Sequence, residues 1–188
     1  MRKVLLHICC AVCAFGCIKQ LKEEGFSIEG LFFNPNIHPE SEYFRRKQAL
    51  AVVESAADIV IHQGQYSREC WSAVCDKYRD EKEGGRRCLV CYQMRLEETF
   101  NFCRRRNMDY FTTTLTVSPH KNSKAIFDIG YKVGGDYFLK RDFKKKEGFK
   151  QSQELSREHG IYHQNYCGCL YSMRGNKIKG PKTANSGN

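Results

Sequence analysis

The amino-acid sequence predicts an α/β fold in which a parallel sheet of about five strands carries helices on both of its faces. Short apolar or β-branched runs alternate with helical patterns of a dozen or more residues, as in strand–helix–strand units. The 188 residues, 41% of them hydrophobic, are enough for one domain with a sizeable core. No apolar run reaches the roughly 20 residues that a membrane-spanning helix requires, so we expect no membrane partner.

The first half of the chain predicts three strands and three helices. The apolar runs that predict strands lie at residues 4–8, 27–33 and 59–61. Helical patterns follow each of them, at residues 11–24, 39–57 and 66–78. Gly25 is the expected end of the first helix, and Asn34-Pro35-Asn36 ends the second strand, because glycine and proline interrupt regular structure.

The second half of the chain continues the same alternation. Further strands are predicted at residues 110–117 and 137–139, and further helices at 88–106, 123–133 and 152–159. Asn122 is a candidate N-cap for the second of these helices. We place the domain at residues 1–174 and expect residues 175–188, rich in Gly, Lys, Ser and Asn, to form a basic flexible tail.

Eleven cysteines are the unusual feature of the composition, and an odd number cannot pair completely into disulfides within one chain. Six of them form three close pairs, Cys9 with Cys10, Cys88 with Cys91, and Cys167 with Cys169. Such clustered thiols indicate metal or redox chemistry in a reducing compartment, and we expect the cytoplasm. For the others we expect buried structural roles; they are Cys13, Cys17, Cys70, Cys75 and Cys103.

The paired thiols leave three kinds of site open. One closed zinc site would use the second and third pairs and leave the first pair incidental. A [4Fe-4S] cluster also takes four thiols, and a second metal ion would use the remaining two. We expect adjacent Cys9 and Cys10 not to bind one metal atom together, which favours two neighbouring metals. A thiol enzyme that uses a C-x-x-C pair directly would instead require an exposed thiol with a low pKa.

Residues that follow parallel strands meet at the carboxyl edge of the sheet, where such folds bind their ligands. Cys9 and Cys10 follow the first predicted strand, and no glycine-rich phosphate-binding loop occurs there, so nicotinamide or ATP binding loses support. Asp142 follows the fifth predicted strand and is a candidate oxygen ligand for iron or a proton donor, or else a simple ion-pair partner. Tyr166, beside the C-G-C pair, is a candidate proton donor or a core residue.

The formal net charge of +10 favours an anionic partner, with nucleic acid first among the classes. Residues 140–150 interleave six cations with two phenylalanines, a pattern in which cations pair with phosphates and rings stack on unpaired bases. The alternative is a solvated charged face. Our candidate nucleic-acid contacts are Lys121, Arg141, Lys144, Lys145 and Lys146.

Six segments, in this order along the chain, carry the remaining signal. They are H-I-C-C-A-V-C at 7–13, F-N-P-N-I-H-P at 33–39, C-L-V-C at 88–91, T-T-T-L-T-V-S-P-H-K at 112–121, D-F-K-K at 142–145 and Y-C-G-C-L-Y-S at 166–172. Together they resemble the QueH family of epoxyqueuosine reductases over residues 4–173. Val12 departs from the family pattern, which has proline at that position, but it is not a candidate ligand.

The resemblance implies a Rossmann-like fold of the HUP type and the reduction of epoxyqueuosine to queuosine at the wobble base of tRNA, without cobalamin. It implies a [4Fe-4S] cluster and an adjacent iron that acts as a Lewis acid, with the three cysteine pairs as metal ligands. Asp142 is then an oxygen ligand or acid. Tyr166 stays a second candidate catalytic residue because of its position beside the C-G-C pair. The division of the thiols between the metals, the role of Cys13 and the electron donor, such as a ferredoxin or flavodoxin, are left open. The competing hypothesis is a zinc-stabilised RNA-binding module without catalysis.

Overall fold

The computed structural model describes residues 1–145 and 148–173. A four-stranded parallel sheet lies at its centre, with strand order β3-β2-β1-β4. The strands are β1 (Lys3–His7), β2 (Ser27–Phe32), β3 (Val60–Gln63) and β4 (Tyr110–Thr113). The predicted α/β class and the parallel sheet are therefore confirmed.

Helices connect the strands, and three more come after the last strand in the chain. They are α1 (Ala11–Glu23), α2 (Glu40–Gln48), α3 (Leu50–Ala57), α4 (Arg68–Cys75), α5 (Arg86–Arg105), α6 (Ser123–Gly134), α7 (Gly148–Glu158) and α8 (Leu170–Met173). The single helix expected at 39–57 is two helices that meet at Ala49. The Asn122 side chain caps α6 as predicted, because its Oδ1 accepts the Ala125 N–H at 3.2 Å.

The central strand β1 is covered on both sides, which explains why its sequence is a continuous apolar run. Val4 and Leu6 point to the face that packs on α1 and α3, whereas Leu5 points to the face covered by α5 and α6. All three side chains are fully buried. The sheet therefore separates two apolar layers, and its carboxyl edge lies free to carry a site.

The predicted fifth strand at 137–139 is wrong. Gly135–Tyr137 form a 3₁₀ turn, and Phe138 alone bridges to Phe111, with the Leu139 N–H donating to the Phe111 carbonyl at 2.9 Å. Gly135 has a positive φ of 52°, so the chain arrives at the sheet through a tight turn, and polar residues follow Leu139 at once. Between the turn at Gly135 and these polar residues, the apolar run is too short to form a fifth strand of the sheet.

The fourth strand also ends earlier than predicted, at Thr113 rather than near residue 117. Thr114–Val117 form a 3₁₀ turn, and the Thr113 hydroxyl accepts the Leu115 N–H at 3.1 Å. Threonine side chains compete in this way with the ladder for backbone groups. No helix in the described part of the chain is long and apolar enough to cross a membrane. The predicted tail at 175–188 lies outside the described residues.

Candidate metal centre

Three thiols converge where β1 turns into α1. Cys9 and Cys10 follow the strand, Cys13 lies in the first turn of the helix, and their sulfur atoms all lie within 4.8 Å of one another. The Cys9 and Cys10 sulfurs are 3.9 Å apart. Tetrahedral binding of one zinc ion places its sulfur ligands about 3.8 Å apart. The expectation that these adjacent cysteines could not share one metal is therefore wrong, and the three can hold a single ion.

Cys13 was expected to be structural, with its role left open, and the fold brings it into this group. Residues three apart lie on the same side of a helix, so Cys13 returns to the position beside Cys10. The signal was present in the sequence as a C-x-x-C spacing at 10–13, identical to the spacing at 88–91.

A second thiol group forms between the start of α5 and the loop before α8. Cys88 and Cys91 come from the helix, and Cys167 and Cys169 from the loop. These four line one small cavity of about 20 Å³, and Cys91 and Cys169 are buried against Trp71. Two distant parts of the sequence thus supply four thiols to the lining of one cavity, although among the described residues only Cys9, Cys10 and Cys13 bring three ligand atoms within 4.8 Å of one another.

The two thiol groups adjoin each other. Cys9, Cys10 and Cys13 line a larger cavity of about 640 Å³, and Cys167 lines both this cavity and the small one. Arg95 and Lys121 also face both cavities. All six predicted ligand thiols, together with Cys13, therefore belong to one continuous region at the carboxyl edge of the sheet.

The C-G-C loop is held in an unusual conformation. Gly168 has a φ of 102°, and a Cβ there would lie 2.9 Å from the Ile37 Cγ1 atom. This position therefore requires glycine. The His38 N–H donates to the Gly168 carbonyl at 2.8 Å, which ties the loop to the segment after β2.

Arg46 of α2 fastens the same loop from the other side. Its Nη1 and Nη2 atoms donate to the carbonyls of Cys167 and Tyr166, at 3.3 and 3.0 Å. Its Nε donates to the Glu42 carboxylate at 2.7 Å, and the side chain is only 3% exposed. The position of Cys167 thus depends on a buried ion pair in a different element.

Arg95, on α5, performs a similar role beside β1. It donates to Asn34 Oδ1 at 2.5 Å and to the His7 imidazole at 3.3 Å, while Asn34 Nδ2 donates to the Ile8 carbonyl at 2.8 Å. His7 is fully buried, and burial, aided by the Arg95 charge, lowers its pKa to about 3. His7 is therefore a neutral core residue that helps to orient Arg95.

Hydrogen bonds and nearby cations favour the thiolate, the form of cysteine that binds metals, at Cys9 and Cys167. Hydrogen bonds to the neighbouring thiols, together with burial, instead raise the pKa of Cys13 and Cys169. Hydrogen bonds from the Cys10 and Cys13 thiols, followed by the Lys121 charge, hold the pKa of Cys9 well below its usual range despite burial. A hydrogen bond from Cys169 lowers the pKa of Cys167 to about 5. Burial opposes the charge of Lys121, but Cys9, Cys13 and Cys167 raise its pKa, so it stays an ammonium ion.

Of the two predicted catalytic residues, one lines the large cavity and the other does not. Tyr166 lines the large cavity, and its hydroxyl donates to the His38 carbonyl. Asp142 accepts the Ser123 hydroxyl at 3.2 Å and the Lys144 N–H at 3.4 Å. Among the described residues, Asp142 is not part of the lining of either cavity.

The predicted nucleic-acid contacts also separate. Lys121 lines the large cavity, whereas Arg141 forms an ion pair with Glu24 at 2.9 Å. Lys144 Nζ donates to the Lys121 carbonyl at 2.8 Å, and Lys145 is exposed. Lys146 lies outside the described residues.

Residues without a predicted role complete the site. Gln164 Nε2 donates to the Cys10 sulfur at 2.8 Å, and the Thr114 hydroxyl lies 3.2 Å from the Cys9 sulfur. Arg46 lies in a segment that carried no signal for chemistry, while Arg95 follows the C-x-x-C by one helical turn, which places it on the same side of α5.

Comparison with known proteins identifies the family of the chain. The family model described as epoxyqueuosine reductase QueH matches residues 4–175. Three proteins named epoxyqueuosine reductase QueH are similar to the chain. The protein from Thermotoga maritima is 37% identical over 92% of this chain and 91% of its own length. Those from Streptococcus pyogenes and Staphylococcus epidermidis are 36% and 35% identical, over 91% and 90% of this chain and 70% and 76% of their own lengths.

Proposed function

The chain belongs to the epoxyqueuosine reductase QueH family, and from this we propose that it converts epoxyqueuosine to queuosine at the wobble base of tRNA. Membership makes the protein an oxidoreductase. Opening the epoxide to an alkene takes up two electrons and two protons and releases the oxygen as water. We infer that this occurs in the cytoplasm, because tRNA and free thiols coexist there. The strand order 3-2-1-4 supports the Rossmann-like fold that the resemblance implies.

The observation that carries the proposal is the convergence of seven thiols on two adjoining cavities. Four thiols are enough for a [4Fe-4S] cluster, and three more remain for a second iron. We propose that these seven hold both groups; they are Cys9, Cys10, Cys13, Cys88, Cys91, Cys167 and Cys169. When bound, the cluster supplies single electrons and an iron with an open position acts as a Lewis acid on the epoxide oxygen.

The donor set fits these groups for a second reason, which is charge. Thiolate ligands accumulate negative charge in a partly buried region, and isolated buried charges are unfavourable. Lys121 and Arg95 face both cavities and offset that charge. This arrangement favours thiolate–metal chemistry over a set of neutral structural cysteines.

The large cavity offers room and polar groups for the substrate. A volume of about 640 Å³ lies within the range of small-ligand sites and admits one base swung out of a single-stranded loop. Lys121 stays protonated in its wall and can donate a hydrogen bond, and then a proton, to the oxygen that leaves the substrate. Tyr166 shapes the wall, since its hydroxyl proton is engaged by His38. Asp142 stays a predicted acid or oxygen ligand, and its bonds to Ser123 and Lys144 fix the turn at 142–145.

Two lysines of the turn at 142–145 are proposed to contact the phosphates of the anticodon loop: Lys145, which is exposed, and Lys144, which is half-buried. Changing Lys144 and Lys145 to glutamine should weaken tRNA binding and lower the slope of log affinity against log salt by about 1 per lysine. Titrations at several salt concentrations measure this, with Lys132→Gln on α6 as an exposed control. An unchanged slope would remove this turn from the RNA footprint.

The decisive experiment is anaerobic purification followed by iron, sulfide and zinc analysis and an EPR spectrum after dithionite. About five irons and four sulfides per chain are expected for a cluster with a second iron. Turnover of tRNA that carries epoxyqueuosine is then followed by mass spectrometry of the nucleosides, first with dithionite and afterwards with a ferredoxin or flavodoxin as donor. One zinc and no sulfide after reconstitution, or no queuosine under any donor, would refute the proposal.

Two cysteines of the same helix provide a matched pair of variants. Cys91 and Cys103 are both buried in α5, but Cys103 lies twelve residues further on, about 18 Å along the helix, where its thiol meets the Met108 carbonyl. Cys91→Ala should lose iron and activity, whereas Cys103→Ala should keep both. Equal loss in the two variants would mean that folding, and not metal binding, is what the substitutions disturb.

A further inference from the structure

An exposed aromatic ring forms part of the wall of the large cavity. Phe149, the second residue of α7, is 41% exposed and lines this cavity together with Cys9, Cys10 and Cys167. The other ring of the basic segment, Phe143, is 1% exposed and lies in the core. The two rings that looked alike in the sequence therefore have different roles, and Phe149 is the one that a ligand can reach.

The position of Phe149 is fixed by close packing of α7 on α1. A Cβ atom on Gly16 of α1 would overlap the Ser152 hydroxyl of α7 and lie 2.9 Å from the Gly148 carbonyl, so the two helices approach each other closely through small residues. Farther along, Phe15 and His159 stack with ring centroids 5.0 Å apart. Because α1 also carries Cys13, the ring is held at a set place relative to the thiols.

The surroundings of the ring indicate what it binds. Lys145 and Lys150 are exposed on either side of it in the sequence, and Gln153 and Asn165 line the same cavity. A flat apolar face next to ammonium groups and amides matches a nucleotide, which offers a base to stack on, edges to hydrogen-bond and a phosphate. A purely apolar ligand would leave the amides without partners.

We propose that Phe149 is a stacking platform for the wobble base when it enters the cavity, and that Lys145 and Lys150 contact the phosphates on either side of that base. This assignment rests on the proposed function. It explains why an aromatic ring stays exposed beside a polar cavity, and it makes Phe149 a binding residue rather than a part of the metal chemistry.

The test uses an anticodon stem–loop RNA with 2-aminopurine at the wobble position, whose fluorescence is quenched when it stacks on a ring. Binding to the full-length protein, purified with its metals, is titrated for wild type, Phe149→Ala, Phe149→Leu and Phe149→Tyr. We expect the first two variants to bind about 5- to 150-fold more weakly, the range that corresponds to about 1–3 kcal/mol of stacking per base. Phe149→Tyr keeps the ring and should stay within about threefold of wild type.

Tyr131→Ala is the matched control, because Tyr131 is 66% exposed on α6 and is not part of the lining of the large cavity among the described residues. Its affinity should not change, and thermal unfolding confirms that every variant is folded. Wild-type affinity for Phe149→Leu would refute the platform, since an apolar side chain without a ring would then suffice. Failure of the wild-type protein to quench 2-aminopurine would also refute it.

The outcome is separable from that of the proposed function. Ring-dependent quenching without conversion of epoxyqueuosine would support the platform and refute the reductase activity. Conversion of epoxyqueuosine with an unchanged KM in Phe149→Ala would refute the platform and leave the reductase activity standing.

Discussion

Replacing Arg46 by methionine should loosen the loop that carries Cys167 and Cys169, because the guanidinium group is the link between that loop and α2. The change removes two hydrogen bonds to loop carbonyls, at 3.3 and 3.0 Å, and the ion pair with Glu42 at 2.7 Å. Methionine keeps the length of the side chain and fills most of the space. The loss is therefore one of polar contacts and not of packing.

The magnitude follows from burial. Arg46 is 3% exposed and Glu42 is 9% exposed, and removal of one partner of a buried pair costs about 3–5 kcal/mol. The Glu42 carboxylate keeps the Tyr162 hydroxyl at 3.2 Å, which places the expected loss at the lower end of that range. For a chain of this size, each kcal/mol lowers Tm by about 2–4 °C, so a fall of roughly 6–12 °C is expected.

The assay is thermal and urea unfolding of anaerobically purified protein, with iron measured in the same samples. Glu42→Gln and the double variant Glu42→Gln/Arg46→Met complete a double-mutant cycle. We expect the double variant to lose less than the sum of the single variants, because it leaves no unpaired buried charge. Arg45→Met is the control, since Arg45 is exposed and stacks on Tyr162.

A loss below about 1 kcal/mol in Arg46→Met, with full iron content, would refute the reasoning, because it would show that the loop needs no buried anchor. A strictly additive cycle would also contradict it, since the two charges would then act independently.

Three further predictions concern single positions. Gly168→Ala should lower the free energy of unfolding by about 1–3 kcal/mol and reduce the iron content. The control is Gly25→Ala, which also has a positive φ but lies in open space and should keep its iron. Tm and metal analysis measure both effects. Thr114→Val removes hydrogen bonds to the Cys9 N–H and sulfur, and urea unfolding should show a loss of about 1–3 kcal/mol. Burial raises the pKa of Glu29, but His62 on β3 and Arg106, which directly follows α5, lower it by more. Glu29→Gln should therefore lose less than about 1 kcal/mol of stability above pH 5, and this difference should vanish as pH falls through the folded pKa of Glu29.

The position of the first thiol pair could be predicted because it depends on topology alone. Parallel strands end at one edge of a sheet, so a cysteine pair that follows β1 must lie at that edge. The C-x-x-C of α5 and the C-G-C loop carry their spacing as a visible signal. The C-x-x-C spacing of Cys10 and Cys13 is equally visible, but spacing alone leaves open whether Cys13 is a ligand or a core residue.

The fifth strand and the anchors of the C-G-C loop could not be predicted, because they depend on packing between distant segments. Whether Phe138 extends the ladder depends on the turn at Gly135, and its φ of 52° is a property of the folded chain. Arg46 lies about 120 residues before the loop that it holds, and a local pattern carries no information about such a contact.

The net charge of +10 was interpreted as attraction for nucleic acid, and the structure divides that charge between two tasks. Arg46, Arg87 and Arg95 are each 3% exposed and donate to carbonyls or carboxamides around the thiol groups. Lys121 lies between those groups and faces their sulfur atoms. Arg87, Arg95 and Lys121 offset thiolate charge, and Arg46 is paired with Glu42, so none of the four is available to phosphates. The salt dependence of tRNA binding should therefore reflect the exposed lysines at the rim, and its slope should be well below the value that the net charge alone would suggest.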